Sequence, residues 1–315
     1  MRPIQNPQFA PANVRRAAAF FGELTATTTI GLLGSLALFP LVALQGTVTR
    51  RRVPCLPPAR PPYHGTVPGQ GSTIRLLAIG ESTVAGVGLA HSDETVAATT
   101  ARALARRTRR PVAWRGLGLS GATVNEAAKQ LLPHIAAEPA DLLVVAFGVN
   151  DTLAYRSPAA FAGDLAALVT AARARTGEAA VVVTGVAPLA CFPALPWPLR
   201  TILNWRSAAL QEAADGLAHR LPRLVVERFS KPLGPQLFAM DGFHPNTQAH
   251  ALWGEEIASL ALPLLFDRTR RRGVTAGRVA PSADRVAAGV ALRSSHTKAS
   301  GAEDTGAARG SLSSA

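Results

Sequence analysis

The sequence predicts an α/β fold, a three-layer α/β/α arrangement with a parallel five-stranded sheet in the middle. Two observations lead to this prediction. Short apolar runs recur five times within residues 74–266, and stretches of helical composition separate them. Continuous apolar runs are typical of parallel strands that are buried on both faces. Regular alternation of such strands with helices indicates a doubly wound sheet that helices cover on both sides.

The elements follow one another in a regular order along this region. Ser157 before Pro158, and Asn246 before the last helix, are typical helix-start signals. The predicted strands cover residues 74–79, 112–119, 142–147, 180–186 and 223–228. The predicted helices cover about 94–108, 123–136, 158–175, 203–220 and 246–262. In such sheets ligands bind beyond the carboxyl ends of the strands, so the residues that follow each apolar run are the candidates for function.

An apolar segment precedes this domain. Residues 24–49 carry no charge and are long enough to span a bilayer core of ~30 Å. Arg50–Arg52 follow directly, which favours a membrane anchor that either spans the bilayer or lies in its interface. A helix buried against the domain is the alternative. The positive-inside rule places the arginine side, and the main domain with it, in the cytoplasm, although basic residues also precede the segment.

The remaining segments are predicted to flank the domain. Residues 1–23 form a basic N-terminal segment, residues 50–73 a linker rich first in arginine and then in proline and glycine, and residues 267–315 a disordered basic tail. The net charge of +13 comes mainly from these ends, since residues 71–266 hold seventeen basic and fifteen acidic side chains. A near-neutral body argues against a nucleic-acid partner. The two cysteines form neither a disulfide framework nor a metal-binding pattern.

Four short motifs place polar residues at the same edge of the predicted sheet. They are Gly80-Glu81-Ser82 after the first strand, Ser120-Gly121 after the second, Asn150-Asp151 after the third, and Asp241 with His244 before the last helix. Together the motifs supply a hydroxyl, a glycine backbone, a carboxamide, a carboxylate and an imidazole. These are the groups that acyl transfer requires.

The glycine-rich stretch Leu76–Gly88 suits either a phosphate-binding loop or a turn that presents a nucleophile. A phosphate loop requires a lysine after its glycines, and none follows Gly86 or Gly88. The glycine spacing also differs from that of a dinucleotide-binding turn. The stretch therefore favours a turn that presents Ser82.

Each of the motif residues has a candidate role in this chemistry. Serine is a weak nucleophile until a base takes its proton, and His244 is the candidate base for Ser82. Asp241, three residues before His244, can reach the second ring nitrogen and fix the tautomer. The backbone N–H groups of Ser82 and Gly121 and the side-chain amide of Asn150 are candidates for an oxyanion hole, in which one donor contributes ~3–4 kcal/mol.

In this order the blocks "GES", "SG", "GVND" and "DGFH" resemble the four motif blocks of the SGNH (GDSL-type) hydrolase family, over residues 74–262. The resemblance implies a flavodoxin-like three-layer fold and hydrolysis of esters or thioesters with no cofactor and no metal. Glu81 stands where the family name records an aspartate, which is expected to alter the hydrogen bonding of the loop. By this similarity the site consists of the nucleophile Ser82, its triad partners Asp241 and His244, and the oxyanion-hole residues Ser82, Gly121 and Asn150.

The long loop Ala187–Trp205 after the fourth strand bears on the substrate because it is apolar and rich in proline. Loops at this edge commonly shape the substrate pocket. Phe192, Trp197 and Trp205 are therefore candidates for the wall of an acyl-chain pocket. The alternatives are a patch that packs against the body of the domain and a surface that touches a bilayer.

These inferences predict a membrane-associated serine esterase or lipase-type hydrolase that works through an acyl-serine intermediate on a lipid-like or aliphatic ester or thioester. Two alternatives stay open at this point. One is a carbohydrate acetylesterase that acts on envelope glycans. The other is a catalytically silent, membrane-tethered binding protein, against which the intact set of motifs argues.

Overall fold

The computed structural model describes residues 29–229 and 233–266. Within them the chain forms one mostly parallel sheet of six strands, in the order β1-β3-β2-β4-β5-β6. The strands are β1 (His64–Val67), β2 (Ile74–Gly80), β3 (Val112–Gly118), β4 (Leu142–Ala146), β5 (Ala180–Val183) and β6 (Leu224–Val226). The prediction of an α/β fold is confirmed, and the prediction of five strands was short by one, the edge strand β1.

Strands β2 to β6 are parallel, whereas β1 pairs with β3 in the antiparallel direction. The five parallel strands have the order of flavodoxin-like sheets, in which the chain reverses its direction of winding between the first and third strands. Here that switch point lies between β2 and β4. The last residue of β2, Gly80, is aligned with Gly118 of β3 and Ala146 of β4, so that the strands end at a common edge.

Helices cover both faces of the sheet. The helices of the described residues are α1 (Thr29–Arg52), α2 (Val96–Thr108), α3 (Val124–Leu131), α4 (Val149–Leu153), α5 (Pro158–Thr176), α6 (Leu199–Asp215), α7 (Leu217–Arg220) and α8 (Thr247–Phe266). Alternate strand residues point to opposite faces, and the core divides accordingly. Leu143 and Val145 of β4 pack with α3, α5 and α6, while Leu142 and Val144 pack with α2 and α8.

The helix-start signals in the sequence correspond to real caps. The Ser157 hydroxyl accepts a hydrogen bond from the N–H of Ala160 at 3.3 Å, with Pro158 as the first residue of α5. Asn246 likewise accepts from the N–H of Ala249 at 3.1 Å, one turn into α8. Both side chains satisfy N–H groups that a helix start leaves without an intrahelical partner.

The apolar N-terminal segment differs from the prediction. Helix α1 continues through Arg52, and the predicted residues 24–28 lie outside the described part of the chain. Val42 is buried against α6, and Gln45 donates to the carbonyl of Trp197 at 2.8 Å and accepts from the N–H of Leu199 at 3.2 Å. Among the described residues no helix is both long and apolar enough to cross a membrane. The expected membrane segment at 24–49 is therefore not supported, and the end of α1 instead packs on the domain.

The predicted linker contains structure as well. Residues 64–67 form β1, an edge strand with alternating exposed and half-buried side chains. The expected N-terminal segment 1–23 and the expected tail 267–315 both lie outside the described residues.

Candidate active site

The candidate nucleophile follows directly on the end of β2, where the backbones of two strands come close. A Cβ atom on Gly80 would lie 2.5 Å from the carbonyl oxygen of Ala146 in β4 and 2.5 Å from Val84. Only glycine permits this approach, because it has no side chain. Ser82 stands in the turn that follows and is 5% exposed. The turn therefore carries the serine to the edge of the sheet beside the switch point.

Asp241 and His244 form a pair in the loop before α8. His244 Nδ1 lies 2.6 Å from Asp241 Oδ2, and Asp241 Oδ1 accepts the backbone N–H groups of Phe243 and His244, each at 2.9 Å. Burial raises the pKa of Asp241, but hydrogen bonds from His244 and the charge of its ring outweigh burial and hold the pKa below its usual value. Asp241 is thus a carboxylate that fixes the orientation of the imidazole.

Ser82 and His244 both line one cavity at the carboxyl edge of the sheet. The other ring nitrogen of His244, Nε2, is buried and has no hydrogen-bond partner among the described residues. No hydrogen bond joins it to Ser82 in this structure. Hydrogen bonds between a nucleophile and its base are often long in sites without substrate and shorten when substrate binds.

The candidate oxyanion residues Gly121 and Asn150 follow β3 and β4, the two strands that flank β2. Gly121 has a φ of +79° in the turn after β3, a backbone conformation that favours glycine. Asn150 lies in the first turn of α4, and its Nδ2 donates to Glu81 Oε2 at 2.6 Å. This hydrogen bond uses one of the two N–H groups of the amide. Neither Gly121 nor Asn150 is among the residues that line the cavity.

Glu81 has a larger part in the site than the sequence indicated. Its Oε1 accepts the N–H of Val149 at 3.2 Å, and its Oε2 accepts the N–H of Asn150 at 3.1 Å in addition to the side-chain amide. The carboxyl group therefore caps α4 and orients Asn150. The pKa of Glu81 is raised to about 8, mainly by burial and also by the charge of Asp151, against the lowering effect of the hydrogen bonds from Asn150 and Val149. The only signal in the sequence was a glutamate in place of the family's aspartate.

The cavity has a volume of about 400 Å³ and a mainly apolar wall. Phe192 belongs to that wall, and its ring lies 5.1 Å from the rings of both Phe238 and Phe243, in edge-to-face contact. Trp197 and Trp205 are 67% and 57% exposed and are not among the lining residues. Of the three expected pocket residues, the structure brings Phe192 to the cavity and leaves the two tryptophans on the surface.

A second carboxyl group lines the cavity at the end of β6. Glu227 is 3% exposed, and its Oε2 accepts the indole N–H of Trp253 at 2.7 Å and the N–H of Gly185 at 3.2 Å. Burial raises the pKa of Glu227 to about 7, and the charge of Glu256 adds to that effect, although both hydrogen bonds lower the pKa. Sequence reasoning missed this residue because it closes an apolar run that was interpreted as a strand.

Within the part of the chain that the structure describes, no three His, Cys, Asp or Glu side chains are grouped so as to hold a metal ion.

Comparison with known proteins bears on the fold. No curated protein sequence matches the chain. A lipase from a goat rumen metagenome is 14% identical over 59% of this chain and 97% of its own, with a TM-score of 0.50, and has the same fold. The carbohydrate acetylesterase Est24 from Sinorhizobium meliloti is 20% identical over 61% of this chain and 99% of its own, with a TM-score of 0.48. A lipase/acylhydrolase from Enterococcus faecalis is 23% identical over 59% of this chain and 94% of its own, with a TM-score of 0.44.

The sequence model of one family covers the three candidate triad residues. The model of the GDSL-like lipase/acylhydrolase family matches residues 78–252, which is more than half of the chain and includes Ser82, Asp241 and His244. The chain is thus a hydrolase that belongs to the GDSL-like lipase/acylhydrolase family.

Proposed function

We propose that the protein is a serine ester hydrolase in which Ser82 is the nucleophile, His244 the general base and Asp241 the residue that orients the imidazole. The observation that carries this proposal is the Asp241–His244 pair. Its 2.6 Å contact holds Nδ1, and the loop brings the same ring to the cavity that Ser82 lines. A carboxylate on one ring nitrogen leaves the other free to accept a proton from a serine hydroxyl.

The reaction would proceed in two halves. Ser82 Oγ attacks the carbonyl carbon of the ester while His244 Nε2 accepts the hydroxyl proton, and Asp241 stabilises the imidazolium that forms. The bond from carbon to the leaving oxygen then breaks, the alcohol takes the proton from His244, and an acyl-serine remains. Water attacks the acyl-serine, its proton passes to His244 and then to Ser82 Oγ, and the carboxylic acid leaves.

The negative charge on the tetrahedral intermediate requires donors that are already in position. The N–H groups of Ser82 and Gly121 and the second N–H of the Asn150 amide are the proposed donors. Glu81 supports this arrangement because it holds Asn150 at both its backbone and side-chain nitrogen. Donors that need no reorganisation during the reaction stabilise the transition state more than donors that must be ordered first.

The cavity supports an aliphatic acyl group, on an ester or a thioester, as the substrate class. Its wall is built largely from aromatic and aliphatic side chains, including Phe147, Phe192 and Leu237. Each methylene that such a wall removes from water contributes ~0.8 kcal/mol. An acetyl group would leave most of the cavity unfilled, so the carbohydrate acetylesterase alternative predicts the opposite preference for chain length.

The test is hydrolysis of p-nitrophenyl esters from acetyl to palmitoyl by the purified full-length chain. We expect kcat/KM to rise from acetyl to a medium-length acyl group, and Ser82→Ala to lose at least about a thousandfold in kcat. Thr83→Ala, which changes the neighbouring hydroxyl on the same cavity, is the matched control and should keep most of the activity. A highest kcat/KM on acetyl esters would favour the carbohydrate acetylesterase. Equal rates for the wild type and Ser82→Ala, with both proteins folded, would refute the proposed nucleophile.

A further inference from the structure

The cavity extends well beyond the proposed triad. Its lining includes Ser82 after β2, Phe147 after β4, Gly185 after β5 and Glu227 after β6. Because β6 is three strands away from β2 in the sheet, and neighbouring strands lie about 4.8 Å apart, the carboxyl ends of these two strands are about 14 Å apart. A chain that starts at Ser82 and follows the cavity therefore reaches the surroundings of Glu227.

The carboxyl group of Glu227 lies at one end of a mainly apolar cavity. Glu227 is nearly inaccessible to solvent, and among the described residues both hydrogen bonds that its carboxyl accepts go to Oε2. Taking a carboxylate out of water is costly unless a partner compensates for the lost hydration. The neighbouring Arg228 has a largely exposed side chain that pairs with Asp215. Oε1 is thus available to a group that enters through the cavity.

Two aromatic rings stand beside this carboxyl group. The rings of Trp253 and Phe229 both line the cavity, with centroids 6.0 Å apart and planes tilted by 43°. The hydrogen bond from the Trp253 indole to Glu227 fixes the orientation of the larger ring. Aromatic faces attract cations, with tryptophan the strongest, and such faces combined with a carboxylate are well suited to an ammonium group.

Most of the ionisable side chains around the cavity are acidic. Glu81, Glu227, Glu255 and Glu256 are the acidic residues among the described lining residues, and Arg228 is the basic one. Glu255 is already paired with Arg107 at 2.9 Å, whereas Glu256 is exposed and adds its charge to that of Glu227. A cation in the cavity would meet two carboxyl groups and two aromatic faces.

We propose that Glu227, Trp253 and Phe229 form a subsite for an ammonium group at the distal end of the substrate's acyl chain. The proposal rests on the proposed function, since it places the chain between Ser82 and this subsite. The substrate class is thereby narrowed to esters or thioesters of acids that carry a positively charged nitrogen about ten chain atoms from the carbonyl, as the 14 Å spacing requires.

The first experiment tests the subsite without catalysis. Binding of decyltrimethylammonium, below its micelle concentration, is compared with binding of 1-decanol by titration calorimetry, using full-length Ser82→Ala protein with and without Glu227→Gln. We expect Glu227→Gln to weaken binding of the cation by about tenfold and to leave binding of the alcohol unchanged. Glu138→Gln, an exposed glutamate before β4, is the control and should alter neither. Equal affinity for cation and alcohol, or an unchanged affinity in Glu227→Gln, would overturn the proposal.

The pH dependence of binding supplies a second readout. Affinity for the cation should rise as the pH increases through about 7, because Glu227 must lose its proton to pair with the ammonium group, and affinity for 1-decanol should not. The other titratable or charged groups that line the cavity are Glu81, His244, Arg228, Glu255 and Glu256. Glu227→Gln keeps all of them, so a rise that persists in this variant would assign the effect to another group and contradict the proposal.

The second experiment compares two p-nitrophenyl esters that differ only in an ω-trimethylammonium or ω-tert-butyl group on the acyl chain. We expect about a tenfold higher kcat/KM for the cationic ester, and no such preference in Glu227→Gln. If the wild type hydrolyses the neutral ester and Ser82→Ala does not, the proposed function stands. In that case, equal kcat/KM values for the two esters would refute the ammonium subsite alone. Tight binding of decyltrimethylammonium without a preference for the cationic ester would contradict the placement of the ammonium group at the distal end of the acyl chain.

Discussion

Glu81 accepts two hydrogen bonds from Asn150 on a single carboxyl oxygen, from the backbone N–H at 3.1 Å and from the side-chain amide at 2.6 Å. The residue before the proposed nucleophile thereby fixes the residue proposed to stabilise the oxyanion. The nucleophile turn and the start of α4 thus form one unit across the switch point of the sheet. Glu81 is a positioning residue in this account, since it acts through Asn150.

Shortening this side chain should lower the rate. Glu81→Asp withdraws the carboxyl group by one methylene from Asn150, so we expect kcat to fall by about tenfold or more with little change in KM, because the lost interaction acts on the transition state. Glu81→Gln keeps the length and one acceptor oxygen and should retain more activity than Glu81→Asp. Steady-state kinetics on one ester, with far-UV circular dichroism to establish folding, measures both. An aspartate variant at least as active as the glutamine variant would refute the positioning role.

Substitutions of the aromatic residues in the long loop after β5 should affect KM differently, according to whether the residue lines the cavity. Phe192 is 4% exposed and lines the cavity, whereas Trp197 is 67% exposed. Phe192→Ala should raise KM for octanoyl esters by about tenfold or more and affect acetyl esters less, because it removes wall area that only the longer chain contacts. Trp197→Ala is the control and should change neither. Equal effects of Phe192→Ala on both esters would exclude Phe192 from the acyl site.

Stability should decrease as the pH rises from 6.5 to 8. Burial raises the pKa of Glu81 to about 8 and those of Asp151 and Glu227 to about 7, so the folded state holds protons that the unfolded chain has released. Such groups contribute stability that is present below the unfolded pKa and is lost as the pH rises through the folded pKa. Burial lowers the pKa of His250 to about 3, and its opposite effect on stability falls mainly below about pH 6.5.

The measurement is urea unfolding at pH 6.5 and pH 8 at constant ionic strength. We expect a decrease of about 2–3 kcal/mol in the free energy of unfolding. Glu227→Gln removes one of the three groups, so the loss of unfolding free energy between pH 6.5 and pH 8 should be smaller in this variant. A free energy of unfolding that is constant or rises over this interval would contradict the assignment of protonated carboxyl groups to the folded state.

The close approach of β2 to β4 predicts a contrast between two glycines. Gly80→Ala would place its Cβ 2.5 Å from a backbone oxygen and should destabilise the fold by about 1–3 kcal/mol. Gly163 lies within α5 with nothing within 4 Å of its potential Cβ, so Gly163→Ala should be stabilising by up to about 1 kcal/mol. Thermal unfolding of the two variants checks this contrast. Similar melting temperatures would show that the backbone at Gly80 can relax.

Much of the fold could be predicted from the sequence because its parallel strands are buried on both faces. Strands such as Leu142–Ala146 are wholly apolar, and their boundaries are visible in composition alone. The edge strand His64–Val67 is short, half exposed and held mainly by its pairing with β3, so its four residues gave no such signal. The short helix α4 was missed for a related reason, because Glu81, far away in the sequence, caps its first turn.

The parts of the site formed by residues close together in the sequence could be predicted. The parts that depend on tertiary contacts could not. Asp241 and His244 share one loop, and their pairing follows from a spacing of three residues. Glu227 meets Trp253 only through the packing of α8 against the sheet, which no local pattern indicates. The loop tryptophans were assigned to a pocket on composition, but Trp197 instead provides a backbone oxygen for Gln45 of α1. The cytoplasmic location of the domain stays a prediction.

The most direct test of the central claim is covalent labelling of the nucleophile in the full-length protein. An alkyl fluorophosphonate should add one phosphonyl group, detected by intact mass, and peptide mapping should place it on Ser82. Ser82→Ala should remain unlabelled, and His244→Ala should react at least about a hundredfold more slowly, because the base that activates the serine is gone. Labelling at another residue, or equal labelling of Ser82→Ala and the wild type, would contradict the assignment of Ser82 as the catalytic nucleophile.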